Sequence, residues 1–370
     1  MEVEKLNFQI IENKSKTIPI LKETKIVGKK WVSYGEKNDF PDYLFDLYLR
    51  SSVLQSIIEG IIDYTVGAGV AHTIIPSTKV NTDGETLKDI MKKILVDYLV
   101  FGGFALNILR DSNDNVSEIY WVDIRNFRLS EDGTIGYYAD NINAWGAKPI
   151  EIPIFNPKQK QKSSIFYFKG HISRGLYPIP RWSGAITAVE TSTEISKYHL
   201  SSIINNFSPS ALISFNNGVP DKETQMAIEK KINNKFVGSD NVNRFILSFS
   251  DSGENATTIQ KLDSDSADQK FSTLKDSIFE EIFISFRATP ELFGMKKDGS
   301  GFNKTEYLES FSLFNKTIIQ PIQEDLVDCF DKIYGYENSI KFNKYTVYDD
   351  EIVTSDEETP NNSNKLWTKE

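Results

Sequence analysis

The sequence predicts an α+β protein. Three observations carry this: apolar residues recur at helical spacing over long runs in both halves of the chain; the middle changes to short alternating runs divided by turn residues; and 39% of the 370 residues are hydrophobic and 12% aromatic, enough to build extended cores. In "NDFPDYLFDLYLRSSVLQSIIEGIIDYTVGAGV", Asn38 or Asp39 can start a helix, and Leu44, Leu47, Leu54, Ile57, Ile58, Ile61 and Ile62 form its apolar stripe. Ser51 and Ser52 divide it in two, and Gly67 and Gly69 close it. A further helix is expected from Gly84 to Phe101, with Leu87, Ile90, Met91, Ile94, Leu95 and Tyr98 on one stripe.

From "FALNILRD" through "SEIYWVDIRNFRLSEDGTIGYYAD" to "SSIFYFKGHIS" the runs alternate, and "DSNDN" and "EDG" read as hairpin turns of a small antiparallel sheet. Beyond "YPIPRWSG" a helix is expected from Ala185 to about Asn206, followed by a short strand, "SALISF". "VPDKETQMAIEKKINNKF" places Ile228, Ile232 and Phe236 at four-residue spacing behind Asp221, a candidate N-cap. "RFILSFSDSGENATTIQKL" reads as two short strands around a Gly-containing turn.

In "SADQKFSTLKDSIFEEIFISF", Phe271, Leu274, Ile278, Ile282 and Phe286 share one helical face. "NKTEYLESFSLFNKTIIQPIQEDLVDCFDKI" repeats the pattern with Tyr307, Phe311, Phe314, Ile318, Ile322, Leu326, Phe330 and Ile333, a helix about 45 Å long. Pro321 deletes one backbone hydrogen bond inside it, so a kink between Thr317 and Pro321 is expected. Between these helices "FRATPELFGMKKDGSGF" forms a soft loop. Two helices separated by a small β insert, followed by a loop and one long helix, have few partners within one chain; copies arranged in a ring would supply them.

The net charge of −10 argues against a protein that wraps nucleic acid tightly, since that grip needs many neutralised phosphates. Half of the charge is local, because residues 349–370 carry seven acids against two lysines and read as a disordered acidic tail. No run approaches the about 18 apolar residues of a membrane span, and "MEVEKLNFQIIENKSK" lacks the pattern of a signal peptide, so a cytosolic chain without a membrane partner is expected. Cys329 has no intrachain partner and falls in a helical stripe; His72, His171 and His199 match no metal spacing, and no metal or cofactor is expected.

An enzyme is not expected either. "VGAGV" and "FGGF" lack the spacing of a dinucleotide or P-loop motif and read as helix-ending glycines. There is no GxSxG and no HExxH, and the adjacent acids Glu280 with Glu281 and Asp349 with Asp350 point apart on a helix, so no catalytic residue is assigned.

Taken in order, three stretches resemble the portal proteins of tailed bacteriophages and gene transfer agents: "PDYLFDLYLRSSVLQSIIEGIIDYTVGAG", "FSPSALISFNNGVPDKETQMAIEKKINNKFVG" and "IFEEIFISFRATPELFGMKKDGSGFNKTEY". The resemblance spans about residues 35 to 335. It implies a portal-type protomer with a wing at 1–215, a first stem helix at 216–238, a β-containing clip at 239–265, a second stem helix at 266–294, a tunnel loop at 295–303 and a long kinked wing helix at 304–334. Residues 335–370 would be a minimal crown and the acidic tail.

The family works as a ring, usually of twelve copies, at one capsid vertex of the virion, assembled in the host bacterial cytoplasm. Double-stranded DNA passes through it during packaging and ejection. Its partners are the terminase large subunit, the major capsid protein and head-tail connector or adaptor proteins. For this chain it implies that Lys296, Lys297, Asp298, Gly299, Ser300, Gly301, Phe302 and Asn303 line the DNA channel. There the glycines would let the loop adjust and the basic and amide side chains would touch phosphates without reading bases. Arg244, Phe245, Ile246, Leu247, Ile259 and Lys261 would form the clip surface that joins neighbouring subunits and docks partners. Two other readings stay open: a different connector ring of a phage or injection machine, and a nucleic-acid enzyme whose carboxylates come together from distant segments.

Overall fold

In the computed structural model, residues 21–73, 79–159, 161–205, 211–215, 221–228, 245–249, 265–295 and 304–344 are described. The helices are α1 (Phe40–Arg50), α2 (Ser52–Val66), α3 (Leu87–Phe101), α4 (Ile186–Asn205), α5 (222–228), α6 (Asp265–Ser285), α7 (Lys304–Phe314) and α8 (Gln320–Tyr334). The strands are β1 (Val70–His72), β2 (Gly103–Arg110), β3 (Val116–Val122), β4 (Phe127–Leu129), β5 (Ile135–Tyr138), β6 (Ile150–Pro153), β7 (Ser163–Lys169), β8 (Ala211–Phe215), β9 (Phe245–Phe249) and β10 (Ile340–Phe342). None of the described helices is long and apolar enough to cross a membrane. The chain divides into two units: residues 1–19, 39–57 and 180–288 form one, and residues 20–38, 58–179 and 289–370 the other.

The first unit holds α1, the start of α2, α4, α5 and α6, together with the β8–β9 pair. The break between α1 and α2 falls at Ser51, whose backbone turns extended while its hydroxyl accepts from the Leu54 N–H at 3.3 Å. Leu44 and Leu47 of α1, Val189 of α4 and Ile282 and Phe283 of α6 are buried in this unit. Tyr43 donates to Glu190 across α1 and α4 at 3.2 Å. Leu274, expected on the apolar face of α6, is 43% exposed, whereas Ile278, one turn later, is buried. Asp221 does cap α5, accepting the Thr224 N–H at 2.9 Å.

Strand β9 pairs in parallel with β8; the Gly-containing turn and second strand expected after it lie outside the described residues. Periodicity identified both strands but not their partner, because pairing is a long-range choice. The register sets Ser214 beside Ser248 and Phe215 beside Phe249, so "ISF" and "LSF" lie in phase.

The second unit is built on two antiparallel three-stranded sheets, ordered β3-β2-β7 and β4-β5-β6. Both expected hairpin turns are present: the Asp111 carboxylate accepts the N–H groups of Asn113 and Asn115, and Gly133 takes φ +69° in the β4–β5 turn. Gly103 is required where β2 runs against β7, since a Cβ there would lie 2.4 Å from the Phe168 carbonyl oxygen. Helix α3 starts at Leu87, three residues after the expected Gly84. Thr86 and Asp89 form a reciprocal capping box there, while Gly84 sits in the preceding turn at φ +83°.

Three features had no clear signal in the sequence. Strands β1 and β10, far apart in the chain, pair antiparallel. Arg128 is completely buried: its guanidinium donates to the carbonyls of Arg125, Phe127 and Asn38 and to the Asn38 side chain. Asp97, 3% exposed, accepts from the Trp121 indole N–H at 2.8 Å, and burial holds its carboxyl well above the usual carboxylate range.

Asp97 therefore costs the fold as pH rises. The proton is held more tightly in the folded state, so stability is full below the ordinary carboxylate pKa and is lost as pH climbs toward the raised folded value. Asp97→Asn keeps an oxygen for Trp121 and carries no charge. The variant is expected to melt higher than the parent at about pH 8, with the difference shrinking toward about pH 4. Thermal melts across that range check this; a less stable variant at the upper end would show that the native state favours the ionised form.

Cys329 is buried, and burial pushes its thiol up to about 12. His72 lies on β1 edge-on to Tyr334, and burial lowers its pKa.

Candidate functional site: the roots of the 296–303 loop

Residues 296–303, the segment expected to face a channel, lie outside the described residues; both chain ends that hold them are described. On the near side α6 closes with a Schellman turn: Ala288 N–H reaches the Phe283 carbonyl at 3.1 Å, and Arg287 N–H reaches that of Ile284 at 2.9 Å. Arg287 takes the left-handed position, φ +52°, that glycine usually fills. Thr289 is extended, as the residue before a proline must be. Pro290–Phe293 then form one 3-10 turn, closed by Gly294 at φ +78°.

In the second unit this turn is fixed by an aromatic cluster. The Tyr64 hydroxyl on α2 donates to the Leu292 carbonyl at 2.5 Å, and its ring lies 6.1 Å from Phe293, 5.6 Å from Phe311 and 6.0 Å from Phe314. Phe293 and Phe314 meet edge to face at 5.9 Å. Gly60, one turn before Tyr64, leaves the space for this: a Cβ there would sit 2.6 Å from the Phe293 ring. Phe293 stands before residues 296–303 and Phe311 and Phe314 after them, so one cluster joins the two described flanks.

Beyond the loop the long helix is interrupted. Asn315–Ile319 form a π turn between α7 and α8, and Pro321 lies in the first turn of α8. The apolar residues Phe314, Ile318, Ile322, Leu326 and Phe330 follow one another at strict intervals of four and are all buried. Such a run drifts by about 160° around a continuous α-helix, and the extra residue in a π turn returns about 100° of that. The turn thus keeps one face against the core. Gln323 donates to the Thr65 carbonyl at 2.9 Å, and Tyr98 donates to Asp325 at 2.8 Å, securing α8 on α2 and α3.

The other sequence-predicted site residues are divided. Phe245, Ile246 and Leu247 lie in β9, whose one edge is taken by β8 of the same chain. Arg244, Ile259 and Lys261 lie outside the described residues. Among the described residues no group of His, Cys, Asp and Glu could hold a metal ion. Sequence reasoning passed over Gly60 and Tyr64, although a lone glycine inside a strongly apolar helix signals a close approach.

A family model described as phage portal protein matches residues 81–359. The chain belongs to the phage portal protein family. Portal proteins are structural, and the match takes in both sheets, the loop roots after Ala288 and α8, while Gly60 and Tyr64 precede it. No curated protein sequence matches the chain.

Three solved structures are similar in fold. A chain in the neck of an empty gene transfer agent (GTA) particle computed with C6 symmetry is 15% identical, with a TM-score of 0.56 over 83% of this chain and 85% of that one. A chain of the virion of a native GTA particle is 14% identical, with a TM-score of 0.56 over 82% and 84%. A chain in the neck of a native GTA particle computed with C12 symmetry is 14% identical, with a TM-score of 0.55 over 82% and 84%.

Proposed function

We propose that this chain is one protomer of a portal ring, set at a capsid vertex of the virion, through which double-stranded DNA enters and leaves. The observation that carries this reading is the portal family match over residues 81–359. The ring does no chemistry. A separate terminase ATPase docks on it and supplies the energy, and head-tail connector proteins bind it later. On this reading residues 239–265, with Phe245 to Leu247, serve as the clip, and 216–238 and 266–294 as the stem.

The loop at 296–303 is the DNA contact. Its anchored roots support that role, because a short segment can press on a moving duplex only if its ends hold still. Lys296, Lys297 and Asn303 touch phosphates; a small number of cations on an acidic chain gives contact weak enough for sliding. Replacing Lys296 and Lys297 together with alanine is expected to leave ring assembly unchanged and to reduce packaging or retention of DNA severalfold, measured as nuclease-protected DNA per particle. Full packaging and retention by the double variant would remove the loop from the mechanism.

A further inference from the structure

Strands β1 and β10, three residues each, form a two-stranded sheet that straps the chain after α8 to the chain after α2. The strap is small. Beyond the paired residues, Thr73 N–H donates to the Ser339 carbonyl at 3.0 Å and Asn343 N–H to the Gly69 carbonyl at 2.9 Å, while the Thr73 hydroxyl donates to the Asn338 carbonyl at 2.7 Å. Asp331 at the end of α8 accepts the N–H groups of Asn338 and Ser339, which fixes the turn into β10.

Within this sheet His72 lies opposite the apolar Ile340, and its ring stands perpendicular to that of Tyr334 with centroids 5.4 Å apart. Its Nδ1 is shielded from solvent and has no hydrogen-bond partner among the described residues. In the neutral imidazole the proton can sit on Nε2, which leaves Nδ1 a bare acceptor. In the imidazolium both nitrogens carry a proton, so a charged donor would be buried at Nδ1 with nothing to receive it.

Among the described residues no charged side chain offsets this. Lys341 of β10 pairs with Ala71 and so projects from the other face of the sheet. On α8, Asp331 is taken up by the backbone groups just named and Lys332 is exposed. On α3, which packs against β1, Lys88, Asp89, Lys92 and Lys93 are exposed and Asp97 is held by Trp121. Tyr334 and Tyr336 keep their protons, since burial raises the pKa of both. Burial is the whole cause of the lowered His72 pKa.

We propose that the β1–β10 strap is an acid-sensitive catch: protonation of His72 opens it and frees the chain beyond α8 from the chain after α2. The closed strap holds the imidazole neutral. Its stability is therefore full above the ordinary histidine pKa of about 6.5 and is lost as pH falls through the lowered folded value.

The test is hydrogen exchange of the full chain at pH 7 and pH 5, with each rate divided by its intrinsic value. Peptides covering 70–73 and 340–343 are expected to lose protection severalfold at pH 5, while the β2–β3 hairpin, residues 103–122, keeps its own. His72→Phe retains a ring against Tyr334 and cannot take up a proton, so it is expected to hold its protection at both pH values; His72→Gln serves if the phenylalanine does not pack. Unchanged protection in the parent, an equal loss in the hairpin, or an acid loss that survives in both variants would overturn the catch.

Discussion

Removing Lys316 together with the change Pro321→Ala is expected to leave the fold intact, whereas removing Glu324 alone is expected to unfold the sheet-containing unit. Both residues are exposed. Deleting one residue from a helix rotates everything before it by about 100° against everything after it. At Glu324 this would turn Phe314, Ile318 and Ile322 away from the core that still holds Leu326 and Phe330. Several fully buried side chains would be lost at about 2–5 kcal/mol each, more than such a unit can spare. Within Asn315–Ile319 the π turn already holds one residue too many, so the deletion returns the segment to α-helical bonding with both flanks in phase. The proline must go as well, because in a continuous helix its ring would meet the carbonyl four residues earlier. Circular dichroism and melting of the two deletion proteins check this. Equal damage from both would show that the π turn does not set the phase of the helix.

Replacing Phe293 with alanine is expected to cost about 2–3 kcal/mol and to loosen the near root of the 296–303 loop. The ring is partly exposed, so the loss falls short of a fully buried phenylalanine, but its edge contacts with Tyr64 and Phe314 both disappear. Gly60→Leu should act in the same direction, since its side chain claims the space of the Phe293 ring. Melting gives the stability change, and the rate of tryptic cleavage after Lys296 and Lys297 reports on the loop. An unchanged melt and an unchanged cleavage rate would mean that the cluster does not hold the root.

Local features were legible in the sequence. The Ser51–Ser52 break, the turns at Asp111 and Gly133, the Asp221 cap and the stripe from Phe314 to Ile333 all follow from neighbouring residues, where capping, turn chemistry and period decide. Long-range choices were not legible. The β1–β10 pair, the parallel β8–β9 pair and the Trp121–Asp97 contact each select one partner among many that local pattern allows.

The long helix is an intermediate case. Pro321 stands just after a π turn rather than inside one continuous α-helix, and the strict spacing of four, read against 3.6 residues per turn, was the clue to that turn. At the candidate site, the lysines and glycines of the loop were evident from composition, while its anchor was not. Tyr64 and Gly60 stand more than two hundred residues before Phe293, and only the fold brings them together.

The central claim is that this chain works as a ring. It is tested most directly by the mass of the purified protein from light scattering, with negative-stain images of the same fraction. The account predicts particles of about 500 kDa, twelve times the 42.1 kDa of one chain, with a central hole and a stem below a broad wing in side view. A monomer at every concentration, in the presence and absence of capsid protein, would contradict it.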